Sequence, residues 1–507
     1  MYKKEPLSRK LTFGIFYLLS GSFASLALNI IIVGFVARSL GVNNFGLYSA
    51  IVSFVQLFQF LSDFGLNKTL LKFGSTDLTK AQISFGNALF VKGILAIPTI
   101  FLISFFGFLS GYRSYEMIVL ECFAVSLILD SYGTVFSSIR RILGSFKLVS
   151  FFTVLRTAIN LVIIIIALSI KNSVISLAVA NMLLSVIIFV ISLTNTVLLL
   201  RPKLRLRLIQ SFFKDSVIFS LNDFFLNIYA RIGTVLLSFF DALSSVGIFS
   251  AAIRFTKIAS IVPMQIKFAL LPTMYRLLDK EGGNELDRDK KIKSKRLFII
   301  LLKFMVIFAT PAVISIHFFS DSIIHLIFSK KYDLSIPLVK LFSLFIYLRF
   351  IETPFTLFYI AMHKHKKMVL FQGLTSLMNL ILNFVLIPAY SIYGACFATL
   401  ISEIFLAVML IYSGGKYFIW NFKDVISIMF KPSLAGVISL YLMIMFLSKA
   451  NIFIQGIALA VSYCLVLVVT RVFNKEDKEL FLKIFSMAKS KKSGESVTEM
   501  DDNLEQI

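Results

Sequence analysis

Nine lysine and arginine residues lie inside long apolar stretches of the sequence, and they are the first candidates for chemistry. They are Lys92, Arg156, Arg231, Arg254, Lys257, Lys267, Lys303, Lys340 and Arg349. A cation in apolar surroundings is costly unless it is paired, hydrated or bound to an anion. These positions therefore predict internal ion pairs or a wet, cationic cavity that receives an anionic ligand.

The nine cations divide by depth. Four lie within about two helical turns of the end of an apolar stretch, where a long side chain can reach the interface. These four are Lys92, Lys267, Lys303 and Lys340. The other five lie deeper and need a cavity or a partner. These five are Arg156, Arg231, Arg254, Lys257 and Arg349.

The clearest pattern among the deep cations lies around residue 250. Ser250, Arg254 and Lys257 fall on one helical face, and like charges three residues apart repel each other. A bound anion that meets both cations would relieve this repulsion. We therefore predict that Arg254 and Lys257 bind an anionic group, with Arg231 and Arg156 as the next candidates.

Three carboxylates occupy the same apolar stretches: Asp63, Asp130 and Asp223. A lone carboxylate in a membrane helix indicates coupling to a proton or another cation, so these are the candidates for a coupling-ion site. Two structural alternatives stay open. Asp63 or Asp130 could pair with Arg156, and Asp223 or Asp63 could neutralise the two adjacent cations near residue 255.

Uncharged polar residues complete the candidate site. Asn29 and Gln56 lie on polar stripes of the first two apolar stretches, and we predict that they bind substrate by hydrogen bonds. The alternative for such residues is helix packing. Arg349 and Glu352, three residues apart, predict a structural ion pair.

These residues are positioned by membrane-spanning helices. The chain has 507 residues, of which 58% are hydrophobic and only 15% are charged, against about 25% charged in soluble proteins. Its apolar stretches are long enough to cross a bilayer as helices. We predict fourteen spans, near 11–37, 47–66, 86–109, 116–138, 148–170, 173–200, 216–240, 246–275, 297–319, 334–361, 368–388, 392–413, 432–448 and 452–472. This composition excludes a soluble enzyme and a nucleic-acid-binding domain.

The net charge of +24 follows the predicted topology. Of the 51 lysine and arginine residues, thirty-six fall in alternate loops that include both termini, and six fall in the opposite loops. Cytoplasmic loops of membrane proteins are enriched in lysine and arginine. We therefore predict a multi-pass protein of the cell (cytoplasmic) membrane with both termini in the cytoplasm.

Enzyme chemistry is not expected. The sequence has no P-loop, and the predicted outer loops are too short to hold a catalytic domain. His363 and His365 are the only close histidine pair, and the three cysteines are far apart in sequence, so no metal site is predicted. No cofactor is predicted either.

An internal repeat organises the spans. The sequence FGLYSAI at 45–51 opens the second span, and VGIFSAAI at 246–253 opens the eighth. Six spans separate the two motifs, so the halves share one orientation, and substrate sites of such transporters lie between their repeats. The predicted fold is all-α, with two parallel six-helix bundles around a central cavity and two extra C-terminal helices. The predicted parts are a bundle at 1–200, a basic linker at 201–215, a bundle at 216–413, two further helices at 414–473 and a cytoplasmic tail at 474–507.

Several motifs together resemble a known family. ARSLG at 37–41, FGLYS at 45–49, DFGL at 63–66, LNFVLIP at 382–388 and GACFATLI at 394–401 occur in the order seen in polysaccharide flippases of the multidrug/oligosaccharidyl-lipid/polysaccharide (MOP) superfamily. One departure is Gly233, where relatives often carry an acid.

The resemblance implies a flippase that moves a polyprenyl-diphosphate-linked oligosaccharide from the cytoplasmic to the outer leaflet by alternating access. Its partners would be this lipid-linked substrate and membrane lipids, and in polysaccharide assembly a polymerase and glycosyltransferases; nucleic acid is not expected. The alternatives are a multidrug or cation antiporter of the same superfamily and a membrane scaffold without transport. The excess of deep cations over deep acids favours an anionic substrate.

Overall fold

The computed structural model describes residues 7–74, 77–278, 288–362, 364–415, 422–447 and 450–470. In these residues it contains α-helices and short 3-10 turns and no strand. The helices are α1 (Leu7–Leu57), α2 (Gln59–Asp63), α3 (Leu66–Gly74), α4 (Leu78–Leu109), α5 (Ser114–Ile142), α6 (Phe146–Ile170), α7 (Val174–Leu199), α8 (Ile209–Phe240), α9 (Leu243–Ala259), α10 (Ile261–Leu278), α11 (Arg288–Phe318), α12 (Ser320–Ile327), α13 (Ile336–Ala361), α14 (His365–Gly415), α15 (Phe422–Leu447) and α16 (Ile452–Val469).

The helices confirm the predicted all-α membrane fold. Eleven helices of the described part are long and apolar enough to cross a membrane, and two of these have apolar stretches of 41 and 49 residues. A crossing needs about 20 residues, so α1 and α14 each suffice for two. Counting both twice and adding the shorter apolar helix Ile454–Val469 gives the fourteen predicted spans.

The two long helices change direction at single residues. In α1 the backbone turns at Gly41, whose φ of 73° lies in the left-handed region that glycine enters freely. In α14 the turn falls at Ser391 with a φ of 52°. Its hydroxyl donates a hydrogen bond to the Asp241 carboxylate, which holds the serine in this uncommon conformation. Both turns lie between predicted spans.

The helices pack as two bundles with two additions. Helices α4 to α7 pack with each other and with α1, while α8 to α11, α13 and α14 pack around one another. Helices α15 and α16 pack together and against α11. The Tyr463 hydroxyl donates to the backbone oxygen of Ile307 at 3.1 Å, which ties α16 to the second bundle.

The repeated motif forms the crossing point of the two bundles. A Cβ atom added to Gly46 would lie 1.8 Å from the backbone oxygen of Leu243, and one added to Gly247 would lie 2.3 Å from that of Val42. Only glycine allows two helices to approach this closely. The repeat seen in the sequence is therefore a pair of equivalent contact surfaces.

The bundles contact each other at both ends. At the end near the crossing, here called the Arg38 side, the Arg38 side chain donates to the backbone oxygen of Ile327 at 3.1 Å. At the opposite end, the Lys68 side, the Lys68 ammonium lies 2.6 Å from Asp223. Phe64 stacks on Phe213 there with ring centroids 4.6 Å apart. The two bundles are therefore in contact at both ends.

Some predictions fall outside the described residues. These are His363 and the C-terminal tail (474–507).

We predict that Gly46→Ala will destabilise the protein, because the added methyl group must push two backbones apart. Overpacking of this kind costs about 1–3 kcal/mol. Thermal unfolding of the detergent-purified protein will show a lowered Tm. The control is Gly133→Ala in α5, where an added Cβ meets no atom within 4 Å and alanine is a better helix former by about 1 kcal/mol. An equal Tm for both variants would contradict the close crossing.

Candidate cationic site

Three of the predicted substrate-binding cations come together in the second bundle. Arg231 lies on α8, and Arg254 and Lys257 lie on α9. The three positive charges are close enough to act on one another electrostatically. Among the described residues, no acidic side chain lies within ion-pair distance of any of them. The cluster therefore carries uncompensated positive charge.

The cluster lies deep in the membrane-spanning region. Arg254 is eleven residues from the start of α9 at Leu243, which corresponds to about 16 Å at 1.5 Å per residue. The hydrocarbon core is about 30 Å thick, so the Cα of Arg254 lies within it, and the guanidinium reaches back toward the Arg38 side, where it contacts Phe45. A cation at this depth needs water or an anion to offset its desolvation. Lys257 is exposed and Arg254 and Arg231 are half-buried, so none of the three lies in the fully packed core of the bundle.

Aromatic side chains hold Arg254 at the boundary between the bundles. Its guanidinium carbon lies 5.3 Å from the ring centroid of Phe45, a cation–π contact. Tyr48 is close enough to act on the guanidinium electrostatically. Both partners belong to the first bundle, whereas Arg254 belongs to the second. The Tyr332 hydroxyl donates to the backbone oxygen of Ala37 at 3.0 Å beside them. Opening of the Arg38 side would therefore release Arg254.

Arg156, the remaining predicted cation, lies elsewhere. It forms an ion pair with Asp130 at 2.6 Å, and the Ser185 hydroxyl donates to the same carboxylate at 2.9 Å. This is one of the pairings that the sequence left open. Each side chain of the pair is 36% exposed, so the pair faces a solvated surface or cavity.

Asp63 is held by a buried lysine. The Lys92 ammonium donates to Asp63 Oδ1 at 2.6 Å and to the backbone oxygen of Ser131 at 2.6 Å. Its side chain is 0% exposed, so the expectation that Lys92 reaches the interface is wrong. The bridge joins α2, α4 and α5 where the second span breaks at Phe64, which has a φ of 43°.

The third coupling-ion candidate, Asp223, pairs with Lys68 on the Lys68 side. Neither Asp63 nor Asp223 therefore neutralises Arg254 and Lys257 in this state, although the sequence allowed both pairings.

Of the predicted polar ligands, exposed Asn29 donates to the backbone oxygen of Ser25 at 2.8 Å. Half-buried Gln56 has a carbonyl oxygen without a partner among the described atoms.

Sequence reasoning missed a buried charged cluster in the second bundle. The predicted pair of Arg349 and Glu352 is present at 3.8 Å, but Arg349 also pairs with Glu403, a closer partner. The Tyr229 hydroxyl donates to the same carboxylate. Glu403 is an isolated acid within an apolar span, the same signal that singled out Asp63 and Asp130.

The cysteines and the possible metal ligands of the described residues bear on the prediction of no metal site. Cys122, Cys396 and Cys464 are free thiols. No group of three or more His, Cys, Asp or Glu residues in the described part could hold a metal ion.

A family comparison agrees with this architecture. Residues 11–278 match the family described as polysaccharide biosynthesis protein, which is more than half of the chain. The chain belongs to this family. The resemblance drawn from the motifs is thereby confirmed. No curated protein sequence matches the chain.

Solved structures share the fold. A lipid II flippase MurJ in an inward closed conformation has a TM-score of 0.72 and 17% identity, covering 89% of this chain and 99% of its own. An inward-facing multidrug resistance MATE family transporter of the MOP superfamily has a TM-score of 0.63 and 14% identity, covering 80% and 98%. A MOP superfamily transporter from Pyrococcus furiosus, described as having a binding pocket of reversed polarity, has a TM-score of 0.55 and 14% identity, covering 81% and 95%. At these identities the likeness shows the MOP transporter fold.

We predict that Lys92→Met will lower the free energy of unfolding, because Asp63 then loses its cationic partner in a largely buried position. Breaking a buried pair from one side costs about 3–5 kcal/mol. The measurement is Tm and membrane abundance, with Lys171→Met at the exposed end of α6 as control. If Lys92→Met matched this control, the bridge would not stabilise the second span.

Proposed function

We propose that this protein is a flippase that carries a polyprenyl-diphosphate-linked oligosaccharide from the cytoplasmic to the outer leaflet, for assembly of a cell-surface polysaccharide. The observation that carries the proposal is the cluster of Arg231, Arg254 and Lys257, which has no acidic partner among the described residues. Membership of the polysaccharide biosynthesis protein family and the MurJ-like fold support it.

A diphosphate suits this cluster chemically. It carries several negative charges on a compact group, and guanidinium groups bind phosphate oxygens through paired hydrogen bonds. Two unit charges about 6 Å apart repel by about 3 kcal/mol at an effective dielectric constant of about 20. A bound diphosphate removes this repulsion among the three cations. Relief of this repulsion therefore adds to the binding free energy that the new contacts provide.

The contacts between the bundles at both ends support transport by alternating access. We infer that the halves at 1–200 and 216–413 move as units joined by the linker at 201–215. The closed Lys68 side rests on an ion pair and aromatic contacts, whereas the Arg38 side rests on the glycine crossing. The ion pair between Lys68 and Asp223 itself contributes little to the closed Lys68 side, because partly exposed pairs are worth about 0–1 kcal/mol.

The lysine and arginine distribution assigns the membrane sides. We infer that the Lys68 side faces the cytoplasm and the Arg38 side faces outward, with both termini cytoplasmic in the cell membrane. Substrate would then enter from the leaflet where lipid-linked oligosaccharides are made. A glycosyltransferase would supply this substrate and a polymerase would consume it, which makes both enzymes the expected partners.

A multidrug or cation antiporter is the second candidate, because the MATE transporter shares the fold with a TM-score of 0.63. A cationic drug would meet three like charges at the cluster, which opposes binding. Asp63, Asp130 and Asp223 could serve such a substrate only after losing a cationic partner, since all three are paired. The cavity charge therefore favours the flippase.

We predict that Arg254→Ala combined with Lys257→Ala will abolish polysaccharide export and leave the protein abundant in the membrane, because the diphosphate loses two of its three cationic ligands. Export is measured as surface polysaccharide in a strain whose only flippase is this protein. The matched control is Lys340→Ala, which removes an in-span lysine paired with Asp321 at 3.3 Å; export should persist.

Two outcomes of this experiment contradict the proposal. Normal export by the double variant would exclude a role of the pair in substrate binding. Loss of abundance, restored when charge is exchanged with Asp223, would instead assign the pair to structure.

We predict that topology reporters fused after Lys203 and after Asp333 will report opposite sides, cytoplasmic for Lys203 and outer for Asp333. The reason is the alternation of basic loops along the spans. Reporter enzymes active on only one side of the membrane make the measurement, and the same side for both fusions would reject the orientation.

A further inference from the structure

The segment that joins α7 to α8 alternates basic and other residues. It reads RPKLRLRL at 201–208, and its basic residues are Arg201, Lys203, Arg205 and Arg207. The sequence contains no aspartate or glutamate between Asp130 and Asp215. The basic residues of this segment therefore have no acidic neighbour along the chain.

The first part of the segment is extended. The helix α7 ends at Leu199, and Pro202 excludes a helical conformation at the residue before it. Arg205 is also extended, with a φ of −133° and a ψ of 95°. Side chains of extended backbone point alternately to opposite faces. Arg201, Lys203 and Arg205 therefore share one face of the segment, and Leu204 lies on the other.

The segment is fixed to α4 by backbone contacts. The Asn87 side chain is 1% exposed, and its amide donates to the backbone oxygen of Arg205 at 3.3 Å and accepts from the backbone N–H of Arg205 at 3.0 Å. The backbone N–H of Lys203 donates to the backbone oxygen of Gln82 at 2.9 Å. A Cβ atom added to Gly86 would lie 2.4 Å from the backbone oxygen of Lys203. The first bundle therefore holds the segment in one defined conformation.

The segment lies at the depth of the lipid headgroups. The helix α7 (Val174–Leu199) has 26 residues, which correspond to about 39 Å at 1.5 Å per residue. The hydrocarbon core is about 30 Å thick, and about 40–45 Å with the headgroup regions. Leu200 and Ile209 both join the hydrophobic cluster of Leu66, so the two ends of the segment stay against the bundle. Residues 201–208 therefore run along the edge of the membrane.

The side chains of the segment are open to their surroundings. All four basic residues are exposed, and none of them forms an ion pair with a described acid. Leu204, Leu206 and Leu208 are 50%, 63% and 45% exposed. Exposed leucines beside lysines and arginines are typical of segments at a membrane interface, where the leucines enter the lipid and the cations meet phosphate groups.

Other occupants explain less of this pattern. The topological role of basic loops requires lysine and arginine but neither the alternating leucines nor the fixed backbone. An acidic protein would meet the cations but would gain nothing from leucines that face the lipid. A single diphosphate is compact, whereas the Cα atoms of Arg201 and Arg205 are about 13 Å apart at 3.3 Å per residue. A row of separate headgroups fits this spacing better.

We propose that residues 201–208 form a binding site for anionic phospholipids of the adjacent leaflet. Arg201, Lys203 and Arg205 contact the lipid phosphates, while the three leucines enter the acyl-chain region. The site lies on the Lys68 side, where α8 begins and Phe213 stacks on Phe64. Bound lipids therefore hold the junction of the two bundles at the membrane surface. The inference rests on the membrane fold and does not depend on which substrate is transported.

The test compares the affinity of the detergent-purified protein for phosphatidylglycerol and for phosphatidylcholine of the same chain length, by native mass spectrometry. Each cation near an anionic surface is worth about fivefold in affinity. In the triple variant Arg201→Gln, Lys203→Gln, Arg205→Gln, the affinity for phosphatidylglycerol should fall about tenfold or more, and that for phosphatidylcholine should not change. The matched control changes three other exposed lysines to Gln and should bind as the wild type does: Lys171, Lys330 and Lys331.

Two further measurements test the fixed conformation and the leucines. Asn87→Ala keeps every charge but removes both hydrogen bonds to Arg205, so the affinity for phosphatidylglycerol should fall several-fold. A fluorophore on Leu204→Cys, in a protein whose native cysteines are replaced, should be quenched by lipids that carry a nitroxide on the acyl chain. This readout uses nanodiscs and does not require removal of any charge or buried side chain.

The outcomes separate lipids from other ligands. Full affinity of the triple variant for phosphatidylglycerol would leave the surface to an acidic protein and overturn the proposal, and so would an equal loss in the lysine control. If the triple variant loses affinity for a polyprenyl diphosphate but keeps it for phosphatidylglycerol, the segment binds the substrate and the phospholipid site is wrong. A fluorophore at Leu204 that acyl-chain nitroxides do not quench would also contradict it.

Discussion

The structure depends on the cost of placing charge in a membrane interior. Nearly every acid that the described spans contain is paired: Asp63 with Lys92, Asp130 with Arg156, and Glu403 with Arg349. These bridges join different helices, so they stabilise the two bundles as well as neutralise charge. Arg231, Arg254 and Lys257 differ, because these three cations lie close together without a described acid at ion-pair distance, and Arg254 contacts the other bundle at Phe45. A group of three neighbouring cations without a described acidic partner has a ligand of opposite sign as its natural partner.

The contact between the bundles and the proposed substrate binding involve the same side chain, Arg254. Arg254 reaches from the second bundle to Phe45 and Tyr48 in the first, so it seals the Arg38 side while the site is empty. A diphosphate that takes over this guanidinium would weaken the seal and favour opening to that side. The glycine crossing at Gly46 and Gly247 lies next to it and lets the helices separate without unpacking large side chains. The negative charge of the substrate would therefore open the Arg38 side, through which the substrate leaves toward the outer leaflet.

Much of this architecture could be predicted from the sequence, because span length, loop charge and the repeated motif are local properties. The turns at Gly41 and Ser391 fell between predicted spans for the same reason. Pairing could not be predicted, since it depends on which helices become neighbours: Lys92 was expected at the interface but bridges to Asp63. Helical spacing grouped Arg254 with Lys257, whereas the approach of Arg231 and the pairing of Glu403 with Arg349 require the packed bundle.

The central claim is that the uncompensated cations bind a diphosphate. The direct measurement is the affinity of the purified protein for a short-chain polyprenyl diphosphate, compared with the polyprenol of the same chain length, over a range of salt concentrations. The account predicts that the diphosphate binds more tightly than the alcohol, that this preference weakens with salt, and that it disappears when Arg231, Arg254 and Lys257 are all changed to Gln. Equal affinity for the two lipids, or a preference that survives the triple substitution, would contradict it.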